Sequence, residues 1–164
     1  MRICIDGYTL TPAAASDRDY VVGCIRKTVL ESVSKEEAAM SDMWIDGILS
    51  IVTANLRGEG ELKNEAFVLK RKGGKRCGML WMGESKDQYT CDDTGYIIGI
   101  YVDEELRGLG LGKALMDAAE QWCAGKGFMS VTLNVGLWNK GARDLYESVG
   151  FRERSTVMRK DLQR

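Results

Sequence analysis

The sequence has no histidine and a single proline, Pro12, among its 164 residues. Without histidine the chain lacks the commonest general base and the commonest metal ligand, which excludes His-dependent triads and zinc hydrolases, and no metal is expected. With one early proline, no internal repeat and no low-complexity tract, nothing reads as a linker, so residues 1–164 are expected to form one domain. Five cysteines, Cys4, Cys24, Cys77, Cys91 and Cys123, form no C-x-x-C pair. Their odd number fits poorly with a secreted disulfide framework and points to a reducing, cytoplasmic setting. The opening "MRICIDGYTL" lacks a long apolar signal core, and no run approaches the roughly 18 apolar residues of a membrane span. Excess charge is missing too. With 23 basic and 24 acidic side chains the net charge is −1, so neither nucleic acid nor an anionic membrane is an expected partner. An anionic ligand would have to be held by local geometry.

What the sequence does contain is a regular succession of patterned segments in a chain that is 45% hydrophobic, enough for a substantial core. "YTLTP" reads as an early strand. Ser16 and Asp19 fit a capping box, and Val21, Cys24, Ile25, Thr28 and Val29 recur at helical spacing, predicting a helix over 17–33. Met40, Trp44, Ile48, Ile51 and Val52 mark one face of a second helix, despite Gly47. "EAFVLKRKGGKRCGMLWMG" predicts two strands joined at Lys72-Gly73-Gly74-Lys75, because adjacent glycines allow the positive φ angles of tight hairpins. The polar "ESKDQYTCDD" reads as a loop before a buried strand, "YIIGIYV", whose Gly99 marks a bulge or a backbone approached by a ligand. Leu111, Leu115, Ala118, Ala119 and Trp122 form one stripe of a helix ending near Gly125 or Gly127. "FMSVTLNV" alternates like a strand. Asn139 caps a short helix carrying Ala142, Leu145, Tyr146 and Val149 and stopped by Gly150, and a last strand is predicted around "STVMRKDL".

The stretch "EELRGLGLGKAL", residues 104 to 115, stands between the buried strand and the striped helix. Three glycines at alternate positions allow backbone N–H groups to converge on an anion, and the helix adds about half a positive charge there. Spacing discriminates among phosphate motifs. A Walker loop would need glycine at Arg107 and Ser or Thr at Ala114. A dinucleotide fingerprint would need its third glycine at Lys113 or Leu115. Both fail, and what fits is R-x-x-G-x-G, on Arg107, Gly110 and Gly112.

A second block, "LNVGLWNKGARDLYESVGF", carries N-x-x-A-x-x-L-Y-x-x-x-G-F on Asn139, Ala142, Leu145, Tyr146, Gly150 and Phe151. With both blocks at this separation, the sequence resembles the GNAT superfamily of acetyl-CoA-dependent N-acetyltransferases, over roughly residues 94 to 162. A glycine-rich turn alone is also explained without a ligand; the joint presence of the two blocks favours the resemblance. It implies an α/β (α+β) fold: a mixed, mostly antiparallel twisted sheet with splayed parallel central strands, flanked by helices. It also implies transfer of an acetyl group from acetyl-CoA, as co-substrate, to a primary amine of a small molecule, peptide or protein, in a ternary complex.

Residue by residue, the resemblance implies that backbone groups of Ile100, Tyr101 and Val102 pair with the pantetheine arm. Arg107, Gly108, Leu109, Gly110, Leu111, Gly112 and Lys113 would hold the pyrophosphate. Tyr146 takes the place of the general acid, and is also readable as a packed core residue. Asn139 is read as a cap that also lies within ligand reach. A homodimer is compatible with the family. Two positions depart from it: Glu104 stands where proline is frequent, and Asn134 where many N-terminal acetyltransferases have glutamate. An amide cannot take a proton, which leaves Glu84 and Asp93 as candidate bases, each also readable as a solvated loop carboxylate. Glu31, Asp42 and Asp46, with Trp44 and Trp138, are candidates for an acceptor pocket suited to a cation, although a solvated acidic face explains the acids as well. The rival reading is a catalytically idle acyl-CoA-binding regulatory module.

Overall fold

A computed structural model describes residues 6–34, 37, 42–60, 63–160 and 162, and leaves out the side chains of residues 42–44 and 48. Met40 and Cys4 lie outside the described residues, as do the side chains of Asp42, Trp44 and Ile48.

The hairpin forms where its glycines predict it. Strands β2 (Asn64–Arg71) and β3 (Arg76–Lys86) are joined through Gly73 and Gly74, at φ +92° and +80°, and Gly74 N–H donates to the Arg71 carbonyl at 2.9 Å. β1 (Tyr8–Pro12) adds antiparallel to β2, and β4 (Asp93–Val102) antiparallel to β3. The short β5 (Val131–Leu133) adds parallel to β4, so the sheet order follows the chain, β1-β2-β3-β4-β5.

Helix α1 (Arg18–Ser32) starts after a 3-10 turn at Ala15–Asp17. Asp17, not Ser16, supplies the side-chain acceptor: its carboxylate takes Ala14 N–H at 3.0 Å and is held by Arg76 Nε at 2.6 Å. That pairing explains how a buried carboxylate is tolerated. Helix α2 is Asp42–Leu56, α3 is Leu111–Gly125 and α4 is Lys140–Ser148.

Alternation along the strands sends residues to two layers. Val21, Cys24 and Ile25 of α1 and Val52 of α2 pack on Val68, Met79, Trp81 and Tyr101. On the other face Leu111, Leu115, Met116 and Trp122 of α3 and Tyr146 of α4 pack on Leu69, Leu80, Met82 and Ile97. Each such fully buried large apolar side chain stabilises the fold by about 1.5–3 kcal/mol relative to exposure. Among the described residues no helix is long and apolar enough to cross a membrane.

Three expectations are corrected. β3 and β4 extend into the stretch read as a loop, leaving only residues 87–92 as the connection, because the Asp87 carboxylate accepts from Tyr89 N–H (2.9 Å) and Thr90 N–H (3.0 Å) and closes the turn. β5 is shorter than "FMSVTLNV". Residues 151–160 form no strand: Val157 and Met158 are 94% and 91% exposed. An alternating pattern makes a strand where one of its faces finds a core, and here neither does.

Candidate active site

β4 changes character halfway. Trp81 pairs with Gly99 and Met82 with Ile97, so Ile98 is unmatched and bulges. Pairing with β5 covers Gly95, Tyr96 and Ile97, opposite Val131, Thr132 and Leu133, and stops there. Beyond Ile97 the two parallel strands diverge. Side chains pack closely over the glycine at the bulge: a Cβ on Gly99 would lie 2.4 Å from Ile25 Cδ1 and 2.9 Å from Met79 Cε, and both side-chain ends would have to turn aside. Of the two readings of Gly99, the bulge is found, and the space above it belongs to α1.

The open edge has a definite polarity. Asp103 N–H donates to the Cys77 carbonyl of β3 at 3.0 Å. Since successive residues of a strand direct their backbone groups to opposite edges, Tyr101 and Gly99 face β3, while Val102 and Ile100 face the gap left by β5. Of the three residues named from the sequence, Ile100 and Val102 therefore offer backbone groups to the cleft, and Tyr101 offers none there.

After Val102 the chain makes a 3-10 turn at Glu104–Leu106 and enters the glycine loop. The glycines have different jobs. Gly108 and Gly110 adopt φ +83° and +79°, with open space where a side chain would be, and Gly110 is the N-cap of α3. Gly112, in the first turn of the helix, makes room for α4: a Cβ there would lie 2.9 Å from Leu145 Cδ2. The first N–H groups of α3 have no partner within the helix and point, with the positive end of its dipole, toward the loop. Leu111 is buried and anchors the loop to the core, whereas Leu109 and Lys113 are exposed.

Arg107 is held on several sides. Its Nη2 donates to Glu31 Oε1 at 2.7 Å, its Nε donates to the Val102 carbonyl at 3.3 Å, and its guanidinium carbon lies 5.7 Å from the centre of the Tyr101 ring. Glu31 and burial act in opposite senses on its basicity; the carboxylate wins and raises it. On the same ring, Lys27 Nζ donates to the Tyr101 hydroxyl at 3.2 Å.

On α4, Asn139 Oδ1 accepts from Ala142 N–H at 3.1 Å, the cap predicted for it. Tyr146 is buried in the α3-side core with its ring 5.9 Å from that of Phe151, and burial pushes its hydroxyl up to about 12. At the point where β4 and β5 part, the Tyr96 hydroxyl hydrogen-bonds Asn134; burial nevertheless leaves that phenol raised.

The two candidate bases lie on the closed half of the sheet, each paired with a lysine. Glu84 lies opposite Gly95, and its carboxylate receives Lys126 Nζ at 3.1 Å, beyond the C-terminal end of α3. Asp93 is the first residue of β4, opposite Lys86, whose Nζ it receives at 2.8 Å. At about 3.3 Å per residue, Asp93 and Gly95 stand about 17 and 10 Å along β4 from Ile98, where the open edge begins. The acceptor candidates disperse too: Asp46 is exposed, Trp138 is exposed and Glu31 is engaged by Arg107. Sequence reasoning missed the closure made by the end of α1. Besides Glu31, its Ser32 carbonyl abuts the β5–α4 loop so closely that a Cβ on Gly136 would lie 1.8 Å from it. Gly136 was the available signal. No group of three or more His, Cys, Asp or Glu among the described residues could hold a metal ion.

Comparison with known proteins places this geometry. The Acetyltransferase (GNAT) family matches residues 49–151. YycN of Bacillus subtilis strain 168, described as an uncharacterized N-acetyltransferase, is 34% identical over 85 residues, which cover 52% of this chain and 53% of YycN. The chain spans 26% and 53% of the lengths of the two curated relatives it matches. A solved structure from Pyrococcus furiosus, provisionally described as an acetyl transferase, superposes with a TM-score of 0.76 at 24% identity, over 94% of this chain and 99% of that one. AAC(6')-Iy, solved with the bisubstrate analogue CoA-S-monomethyl-acetylneamine, superposes with a TM-score of 0.65 at 15% identity, over 95% and 98% of the two chains. At these identities the two structures speak for the fold. The family match covers more than half of the 164 residues, including the splayed strands and the glycine loop, and on that ground the chain belongs to the acetyltransferase (GNAT) family.

Proposed function

We propose that this protein transfers an acetyl group from acetyl-CoA to a primary amine, on a small molecule, peptide or protein, by direct attack within a ternary complex. One observation carries the reading: the edge of β4 left open beyond Ile97 runs directly into the glycine loop and the N-terminus of α3. An open strand edge accepts an amide-bearing arm as it would a strand, and the loop beyond accepts a diphosphate. Open space at Gly108 and Gly110 supports the fit. The likeness in fold to AAC(6')-Iy, whose bound analogue contains CoA, supports the same donor. All of residues 1–164 are assigned to one domain, because both cores are built on the same sheet.

Acetyl-CoA supplies an acyl group already activated as a thioester. In this reading Ile100 and Val102 align the arm through their backbone groups, and an N–H of this edge polarises the reacting carbonyl. Residues 108 to 113 hold the diphosphate, with Lys113 and Arg107 adding charge-assisted contacts. Tyr146 donates to the departing sulfur. At about 12 its hydroxyl is always protonated near neutral pH. Full transfer to a thiolate of pKa about 8.5 would run uphill by about 3.5 units, so hydrogen-bond donation is the main contribution before the sulfur leaves. The amine must arrive neutral, which for a pKa of about 10.4 costs about 4.6 kcal/mol at pH 7. With Glu84 and Asp93 on the closed half of the sheet and each engaged by a lysine, that proton is assigned to water in the cleft. Asn134, where a carboxylate is absent, favours the idle acyl-CoA-binding module as the second reading.

The first experiment is the thermal unfolding midpoint with and without saturating acetyl-CoA, with ATP and NAD as controls. At 100 times its Kd a ligand adds about 2.7 kcal/mol, a rise on the order of 5 to 10 °C at this length. No rise with millimolar acetyl-CoA would remove the donor site. A rise without amine-stimulated release of free thiol, across a broad amine panel, would leave the binding module.

A further inference from the structure

Arg107 is central to the donor site in the reading above, yet two of its five N–H donors are engaged elsewhere. One goes to Glu31 at the end of α1, and another to the Val102 carbonyl, which belongs to the open edge of β4. Its guanidinium rests on Tyr101, a buried ring that Lys27 engages from α1 as well. The residue after Glu31, Ser32, touches Gly136 in the β5–α4 loop. The end of α1 thus reaches both lips of the gap between β4 and β5, and Arg107 is held on the β4 lip.

A diphosphate and a carboxylate compete for the same planar fork of donors, and an N–H already given to one is withdrawn from the other. The Val102 carbonyl is likewise shared between Arg107 and any arm that would pair along β4. We propose that Glu31 is a positioning residue: it holds Arg107 against the open edge of β4 at Val102, and the donor's phosphates must compete with it for the guanidinium, which frees the Val102 carbonyl of that contact. The latch rests on the coenzyme A reading of the site. It would free the loop end of the β4 edge in step with arrival of the donor, without movement of the sheet. Because the pair is partly exposed, 46% and 35% for the two side chains, its strength is that of a surface ion pair, and salt weakens it.

The test is isothermal titration of coenzyme A into the wild-type protein, E31Q, R107Q and the double variant, at 50 and 500 mM NaCl. E31Q is expected to bind coenzyme A roughly two- to fivefold more tightly than wild type at low salt, the range open to an exposed ion pair. The gain should shrink at 500 mM NaCl and vanish in the R107Q background, because the effect runs through Arg107. Equal or weaker binding by E31Q overturns the latch. So does a gain that persists in R107Q, which would mean that Glu31 merely repels phosphate. Failure of the wild-type protein and every variant to bind coenzyme A would overturn the donor-site reading itself, and the latch with it; wild-type binding with no E31Q effect overturns the latch alone.

Discussion

Between Gly95 and Ile97, β4 has a hydrogen-bonded neighbour on each edge, whereas between Ile98 and Val102 it has β3 alone. Both halves are apolar, and each contains a glycine closely covered by a packed neighbour, but from opposite faces. A Cβ on Gly95 would lie 2.2 Å from Cys123 Sγ of α3, and one on Gly99 would lie 2.4 Å from Ile25 Cδ1 of α1. The closed half is thus fixed against α3, away from the glycine loop. The open half is backed by α1, the helix whose last turn holds Arg107. A single strand therefore serves as structure at one end and as site at the other, and the bulge at Ile98 is where the change occurs.

The largest expected effect separates chemistry at the open half from folding. Tyr146→Phe should lower kcat by about a hundredfold near neutral pH, at the lower end of what proton donors contribute, while leaving the affinity for acetyl-CoA within about twofold. The same variant has a signature in stability. Burial raises the hydroxyl from about 10 to about 12, so the folded state retains this proton over a range in which the unfolded chain loses it. That contribution is complete below pH 10 and is lost as pH rises through 12, on the order of 2 to 3 kcal/mol. Cys24, pushed up to about 11 by burial, starts a similar loss from about pH 9. Urea unfolding at pH 8, 10 and 11 should show a shallower alkaline decline in Tyr146→Phe. Unchanged kcat together with the shallower decline would remove Tyr146 from the site and leave it as a core residue.

The two glycines test the division of β4 directly. Gly95→Val and Gly99→Val should each destabilise the protein by about 1–3 kcal/mol, because each overpacks a full interior. Only Gly99→Val should also weaken coenzyme A binding, by about tenfold or more, because the displaced Ile25 moves α1 and straightens the bulge. Titration calorimetry well below both midpoints reads the difference. Equal losses of affinity would mean that the halves are not distinct.

Much of this arrangement was legible in the residues, for local reasons. Gly73 and Gly74 announced the hairpin, and Gly108 and Gly110 the loop, because positive φ angles leave few other choices. The stripe from Leu111 to Trp122 and the Asn139 cap fixed the two helices beside the site. The rest depended on long-range partners. Asp87 reads as one polar residue among ten, and only its capture of two backbone N–H groups, with Arg154 clamping it from the C-terminal segment, shows why the strands on either side run on. "STVMRKDL" alternates like a strand, but alternation does not reveal that no core face waits for Val157 and Met158. The edge polarity that separates Tyr101 from Ile100 and Val102 needed the partner of Asp103. Glu31 and Arg107 are 76 positions apart, and nothing in either neighbourhood announces the pair.

The smallest expected effect concerns the closed half. Lys126 Nζ lies 3.1 Å from both Glu84 and Glu65 and 4.7 Å from the centre of the Trp122 ring, so removing one carboxylate leaves the ammonium a charged partner and an aromatic face. Glu84→Gln should therefore change stability by less than about 1 kcal/mol, as for other partly exposed ion pairs. Kinetics decides more than stability here. Because Glu84 sits opposite Gly95 on the closed half and is engaged by Lys126, the variant should leave kcat and its pH profile unchanged in an amine-dependent thiol-release assay. A loss of the acidic limb, or a fall of about tenfold or more, would return Glu84 to the role of base. The proton from the amine would then have to reach the far end of the strand, and the closed half of β4 would belong to the site after all.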